Sequence, residues 1–272
     1  FQVDNRHNGT MIAPCTAIVL VHRDTPILWQ ALTALKWCEQ MIVVDNDSQI
    51  STERLYDAGV TAVFAIPGPI QDFAAVRNLA MAQVTTPWCF FCDSDEVVDE
   101  PSSAELTQLT AQMQDPLIVG MSVKRSDYFL GKTLSYGEAG NRQFIRFMRP
   151  NQSVWSGKAH EIPVLTGQII ASGATITHYS HESINSFITD VSSYAKIIAT
   201  EREHSPLSNL AQLLLYPPLK LLYDLVLLGA ILDGWRGVIY SYCMALHSLL
   251  VRIYWYEKHT RVVSHPDSLR ES

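Results

Sequence analysis

The apolar positions of this chain follow two rhythms. Short unbroken runs at 16–21, 40–44, 61–66 and 88–92 have the length and the β-branched or aromatic content of strands buried on both faces. Between them the apolar residues recur at helical spacing. Ile27, Leu28, Leu32, Leu35 and Trp37 follow Thr25, which can cap a helix with Pro26 at its first position. A short helix is expected over 53–59, ended by Gly59, and another over 72–83, where Phe73, Val76, Leu79 and Ala80 share a face. Buried strands alternating with amphipathic helices predict an α/β fold, a Rossmann-like and mostly parallel sheet flanked by helices. Further strands are expected at 117–123 and 143–147, joined by a glycine- and aromatic-bearing loop over 128–140 of the sort that lines a pocket.

After an amphipathic helix over 183–203 the pattern changes. Leu213-Leu214-Leu215-Tyr216-Pro217-Pro218 leads into 219–232, apolar apart from Lys220 and Asp224, which are spaced to pair on one helix face. A helix over 219–232 rises about 21 Å, less than the roughly 30 Å of a bilayer core, so a simple span is not expected. Asp233-Gly234-Trp235-Arg236-Gly237 breaks the run, and 238–256 supplies a second apolar helix edged by Arg252, Lys258 and Arg261. This apolar C-terminal helical appendage is expected to lie in a membrane interface; the alternative is packing on the α/β part or on a second subunit. The expected division is 12–182 for the α/β domain and 183–262 for the helical region.

Composition narrows the partners. In 272 residues, 47% are hydrophobic, enough for a large core, and the formal net charge of −7 argues against nucleic acid. The five cysteines are odd in number and show no metal-like spacing, which suits a reduced, cytosolic setting. Residues 1–10 are polar, so no secretory signal is expected there. Cys89 and Cys92 form a Cys-x-x-Cys inside an apolar run that precedes acids, a context that raises thiol pKa values, so core packing is expected rather than redox chemistry.

The candidate chemistry sits where strands end. Asp93, Asp95 and Glu96 close the run 88–92. Acids spaced i, i+2 at a strand's carboxyl end can hold a hard divalent cation, and the cation a diphosphate; they can equally be a solvated turn before a helix. Asp45 follows the second strand, where a carboxylate can meet a base or ribose. Arg77 interrupts an apolar helix face and can pair with a phosphate or a carboxylate. His160-Glu161 offers a proton carrier or metal ligand beside a carboxylate base, or simply two polar loop residues. His178, His181 and Glu182 match no zinc spacing and are expected to be satisfied polar groups.

These motifs stand in a recognisable order. Val43-Val44-Asp45-x-x-Ser48, Arg77-Asn78-Leu79-Ala80 and Asp93-Ser94-Asp95-Glu96-Val97-Val98 resemble a family 2 glycosyltransferase of the GT-A fold. Arg125-x-x-Tyr128-Phe129-Leu130-Gly131-Lys132, the strand with Arg142 and Arg146, Ala159-His160-Glu161, His178-Tyr179-Ser180 and Leu232-Asp233-Gly234-Trp235 resemble its lipopolysaccharide-core glucosyltransferase branch, of the WaaE/KdtX type. The resemblance runs from about Thr16 to Tyr256.

It implies a nucleotide-sugar donor contacted by Asp45, Arg77 and Asp93, and Mg²⁺ or Mn²⁺ held by Asp93 and Asp95. It further implies Glu161 as the base that deprotonates the acceptor, with His160 beside it as a metal or acceptor contact, and Glu138 as the runner-up base. The reaction would be an inverting transfer to a lipid-linked or lipopolysaccharide-core acceptor, by a cytoplasmic enzyme peripheral on the inner face of the membrane. Two departures stand out: Asp45-Asn46-Asp47-Ser48-Gln49-Ile50 lacks the usual final acid, and Glu138-Ala139-Gly140 replaces an expected tyrosine-proline-aspartate. The altered Asp45 loop leaves open a nucleotide-sugar-binding or scaffold subunit without turnover.

Overall fold

A computed structural model of the chain describes residues 6–7, 10–70, 72–113, 115–140, 142–157, 161–179, 181, 183–202 and 205–263. The chain forms two compact units, Phe1–Ser126 with Arg142–Tyr179, and Asp127–Asn141 with Ser180–Ser272. The stretch 127–141 thus belongs with the C-terminal helices rather than with the sheet on either side of it in sequence.

In the first unit a small hairpin, β1 (Arg6–His7) with β2 (Thr10–Met11), precedes the central strand β3 (Ala13–Val21). Helix α1 (Pro26–Ala34) starts where expected, its first turn closed by Leu28 N–H donating to the Thr25 hydroxyl at 3.2 Å. Strand β4 (Cys38–Asp45), helix α2 (Thr52–Asp57), strand β5 (Ala62–Ala65), helix α3 (Phe73–Met81) and strand β6 (Trp88–Asp93) follow. After a tight turn come β7 (Glu96–Val98), α4 (Glu100–Gln112) capped by Asp99, and the long β8 (Ile118–Phe129). Strand β10 (Arg142–Met148), the hairpin β11 (Ser153–Ser156) and β12 (Ile162–Leu165), and β13 (Gln168–His178) complete the unit.

The sheet order is β5-β4-β3-β6-β10-β8-β13-β7. Its first four strands are parallel, and β10 turns it antiparallel against β6 and β8. The α/β expectation is borne out, with the parallel part formed by the N-terminal half. Each face of the sheet has its own apolar layer. On one, Phe90 stacks on Phe147 at 4.7 Å with Trp37 beside them; on the other, Phe91 meets the edge of Trp155 at 4.9 Å. The thiols of Cys89 and Cys92 are fully buried in these layers, and burial pushes both up, so they pack as small hydrophobes, as expected. The strand Glu96–Val98, the β11–β12 hairpin and most of β13 were not anticipated: they are short, or they carry few apolar residues in alternation.

The second unit contains the end of β8, β9 (Lys132–Thr133), α5 (Gly137–Gly140), α6 (Ile184–Glu201), α7 (Pro206–Leu222) and α8 (Trp235–Val263). Two expectations are corrected here. The apolar helix does not begin after Pro217-Pro218. It starts at Pro206, capped by Ser205, runs through both prolines and continues as a π-helical turn, Tyr223–Leu227. The stretch Pro206–Leu227, 22 residues, is long and apolar enough to cross a membrane, so the length argument drawn from 219–232 fails. Nor do Lys220 and Asp224 pair. Lys220 reaches Glu138 at 2.7 Å, while buried Asp224 accepts from Glu138 N–H at 2.7 Å and from the Ser241 hydroxyl.

A second buried carboxylate, Asp233, accepts from the N–H groups of Ser135 and Tyr136 at 2.8 and 2.9 Å and from Lys132 Nζ at 3.1 Å. Residues 132–138 are therefore held as a strap on the helical segment by carboxylates reading backbone amides. Gly137 makes the close approach possible: its φ is 68°, and a Cβ there would lie 2.8 Å from Ala230 Cβ and 2.9 Å from Asp224 Oδ1. Gly137→Ala is accordingly expected to destabilise the helical unit by about 1–2 kcal/mol or more, read as a lowered thermal midpoint of that unit.

Candidate active site

Strand register brings the predicted donor-side acids to one edge of the sheet. β3 lies between β4 and β6, with Val21 opposite Asp45 and Leu20 opposite Asp93. Two strand spacings put these carboxylates roughly 10 Å apart at the carboxyl ends of parallel strands, where α/β sheets bind ligands. The loop after Asp45 is tightly pinned. Ser48 N–H donates to Asp45 Oδ1 at 3.0 Å, Asn46 Nδ2 donates to the carbonyls of Ile66 and Gly68, and Asp47 accepts from Gly68 N–H at 2.7 Å. Asp47 and Gln49 adopt positive φ, 54° and 64°. Without the usual final acid, the loop is shaped by Asn46 and Asp47 reaching across to 66–68.

Asp93 is the hub of an ion network. Arg77, on α3 and 8% exposed, donates from Nη2 to Asp93 Oδ1 at 3.0 Å and from Nε to Glu161 Oε1 at 3.2 Å. Arg146, on β10, donates to Asp93 Oδ2 at 3.0 Å and also to Glu96. Glu96 is fully buried, accepts from Asp93 N–H at 3.1 Å and has Arg125 at 3.7 Å. It is neither a solvated turn residue nor part of an open acid cluster. β7 turns it inward, where it orders the two arginines.

Burial alone would raise the Asp93 carboxyl, but the guanidiniums of Arg146 and Arg77 outweigh it and hold that carboxyl well below the usual carboxylate range. Burial pushes Glu96 up, against the pull of Arg146. Arg77 also lies over the rings of Trp155 and Phe91, at 4.8 and 5.6 Å.

Asp95 behaves differently. Its side chain is 43% exposed and has His178 Nε2 3.4 Å from Oδ2, while its carbonyl accepts from Tyr179 N–H at 2.8 Å. The structure thus gathers Arg77, Asp93 and Glu161 into one contact set and sets Asp95 beside His178. His178 was read in the sequence only as a satisfied polar group; its partner could be found only once β13 was paired with β7, His178 opposite Glu96. His160 lies outside the described residues, as does Glu182. Glu138, the runner-up base, is in the second unit with Lys220. Among the described residues no group of three or more His, Cys, Asp or Glu side chains forms a ready metal cage. Asp93 has both oxygens committed to arginines, whereas Asp95 and His178 offer an oxygen and a nitrogen donor side by side, a pair that fits a divalent ion whose other ligands come from phosphate and water.

Nearly the whole chain is similar to LpsC of Rhizobium meliloti (strain 1021), a lipopolysaccharide core biosynthesis glycosyltransferase: identity is 24% over 253 residues, 90% of this chain and 93% of that protein. The chain is a glycosyltransferase homologue. The enzyme class and the lipopolysaccharide-core resemblance expected from the motifs are thereby borne out. No protein-family model matches this chain. Among solved structures, S. aureus TarS 1–349 in complex with UDP-GlcNAc is similar over 91% of this chain and 92% of that one, at 12% identity and a TM-score of 0.44. Glucosyl-3-phosphoglycerate synthase from Mycobacterium tuberculosis, in complex with Mn²⁺, UDP and phosphoglyceric acid, is similar over 43% of each chain, at 14% identity and a TM-score of 0.32.

Two outcomes follow from the network. Arg146→Met takes the nearest cation from the buried Glu96, leaving it Arg125 at 3.7 Å, and is expected to cost up to about 3–5 kcal/mol, recovered in part by adding Glu96→Gln, as read by urea denaturation. Because the Asp93 carboxyl is depressed on folding, its contribution is fully present above its unfolded value near 4 and is lost as pH falls below that. Stability measured from pH 5 down to pH 2 should therefore fall less steeply in Asp93→Asn than in the wild type.

Proposed function

We propose that the protein transfers a sugar from a nucleotide-sugar donor to a cell-envelope acceptor of the lipopolysaccharide-core or lipid-linked type, with inversion. The observation that carries this is the contact set Asp93–Arg77–Glu161 at the sheet edge: a donor-side carboxylate and a candidate base joined through one guanidinium. In this reading Asp45 meets the base or ribose of the donor and Arg77 meets the diphosphate with the N–H groups it does not spend on Asp93 and Glu161. Glu161 takes the proton of the acceptor hydroxyl. The acceptor oxygen bonds to the anomeric carbon as the bond from that carbon to the diphosphate oxygen breaks, and the electron pair leaves on the nucleoside diphosphate. Asp95 with His178 would hold Mg²⁺ or Mn²⁺, which supplies charge neutralisation for the leaving diphosphate. Asp93 can join as a ligand only by giving up a guanidinium.

The acceptor chemistry agrees with the second unit, taken by itself. Along Pro206–Leu227 and up to Trp235 the large side chains are turned outward, among them Leu214, Leu219, Leu227 and Trp235, and only 11% of the most apolar window is buried. Lys220 and Asp224, the charged residues between Pro206 and Leu232, point inward to Glu138 and Ser241. The outward face therefore carries no charge and is rich in leucine and aromatic residues, which suits peripheral attachment to the inner face of a membrane.

The transferase reading is tested by mass spectrometry of a nucleotide-sugar panel incubated with the purified full chain in Mn²⁺ or EDTA. One donor should be lost in Mn²⁺, and spared both in EDTA and in Asp95→Ala. Absence of turnover together with absence of donor binding would overturn the reading. Attachment is tested by flotation with phosphatidylglycerol/phosphatidylethanolamine vesicles: the wild type should float, and Leu214→Asp with Leu219→Asp should reduce the floated fraction at least tenfold while leaving the circular-dichroism spectrum unchanged.

A further inference from the structure

Helix α3 grips the β11–β12 hairpin with two consecutive side chains. Arg77 takes Glu161, which stands one residue beyond the last rung of the hairpin, where Ser156 faces Ile162. Asn78 takes the backbone of Trp155 in both directions: Trp155 N–H donates to Asn78 Oδ1 at 2.9 Å, and Asn78 Nδ2 donates to the Trp155 carbonyl at 2.9 Å. This is the pairing a neighbouring strand would give, supplied here by a helix side chain. Among the short side chains, only a carboxamide presents a donor and an acceptor together in this way. The Trp155 ring, 6% exposed, is pressed edge-on to Phe91 and lies beneath the Arg77 guanidinium. The hairpin is thus fixed by its backbone through Asn78, by its ring through Phe91 and Arg77, and at its return by Arg77 on Glu161.

We propose that Asn78 is a positioning residue for Glu161. By pairing with Trp155 it fixes the register of the hairpin on α3, and so the place at which Glu161 meets Arg77 and, through it, Asp93. The inference rests on the reading of Glu161 as the acceptor-activating base. A base displaced by about 1 Å loses on the order of a hundredfold in rate, so a residue that never touches substrate can control turnover strongly.

The test combines hydrogen exchange with a double-mutant cycle, on the full chain, using hydrolysis of UDP-glucose or of whichever nucleotide sugar the wild type consumes. In Asn78→Ala, and in Asn78→Asp, which keeps the size and the acceptor but loses the donor, the Trp155 amide should exchange at least tenfold faster than in the wild type. For both variants kcat should fall about 10–100-fold while KM for the donor stays within about twofold. In a Glu161→Gln background, adding Asn78→Ala should lower kcat by less than about twofold, because the residue it positions is already gone.

Losses that multiply in the double variant, a loss confined to donor KM, or an unchanged Trp155 amide would overturn the positioning role and leave the transferase reading standing. Full turnover in Glu161→Gln would remove the base assignment and this inference with it. A wild type that neither binds nor consumes any donor would remove the transferase reading as well.

Discussion

The sheet edge depends on one carboxylate shared by two guanidiniums. Asp93 ends strand β6 and receives Arg77 from a helix and Arg146 from the neighbouring antiparallel strand, one on each oxygen. A charge so placed would be costly unless paired, and the same is true of each arginine. Glu96 completes the network by accepting from the same Arg146 Nη2 and from the Asp93 amide, so the strands β6, β7 and β10 and the helix α3 meet in one arrangement. Their mutual need for partners fixes the edge more narrowly than apolar packing beneath it could, because ion pairs specify geometry where hydrophobic contacts mainly specify burial.

Much of this was legible in the residues and some was not. The strands 13–21, 38–45 and 88–93 are buried on both faces and read as apolar runs, and Thr25 caps the helix expected after it. Asp45, Arg77 and Asp93 could be placed because strand ends and interruptions of an apolar face are local signals. Glu96 could not: an acid beside Asp95 reads as solvated, and only the pairing of β7 with β13 turns it inward. His178 beside Asp95, and Asn78 against Trp155, join residues far apart in the chain through ladders with weak alternation. The misreading at Pro217 had a physical reason too, since prolines ordinarily end or begin helices, and here the helix passes through them into a π-helical turn.

The helical unit solves a related problem with different means. Its apolar segment carries two acids, Asp224 and Asp233, and both are buried against backbone amides of 135–138 rather than left to solvent. Placing both acids on the inner side leaves the outer side uncharged and rich in leucine and aromatic residues. The split departure at Glu138-Ala139-Gly140 belongs to this arrangement: Glu138 is tied to Lys220, and Gly137 allows the strap to come close.

The two prolines inside α7 carry one more consequence. Pro217 and Pro218 have no N–H, so the carbonyls of Leu213 and Leu214 lose the amides that would ordinarily close onto them. In dry hydrocarbon each unpaired carbonyl costs several kcal/mol, whereas water or lipid headgroups satisfy it at little expense. A helix long and apolar enough for a span therefore lacks two backbone hydrogen bonds near its middle. Those carbonyls would be satisfied with this turn toward the aqueous layer, which is the pose that the proposed peripheral attachment would give it.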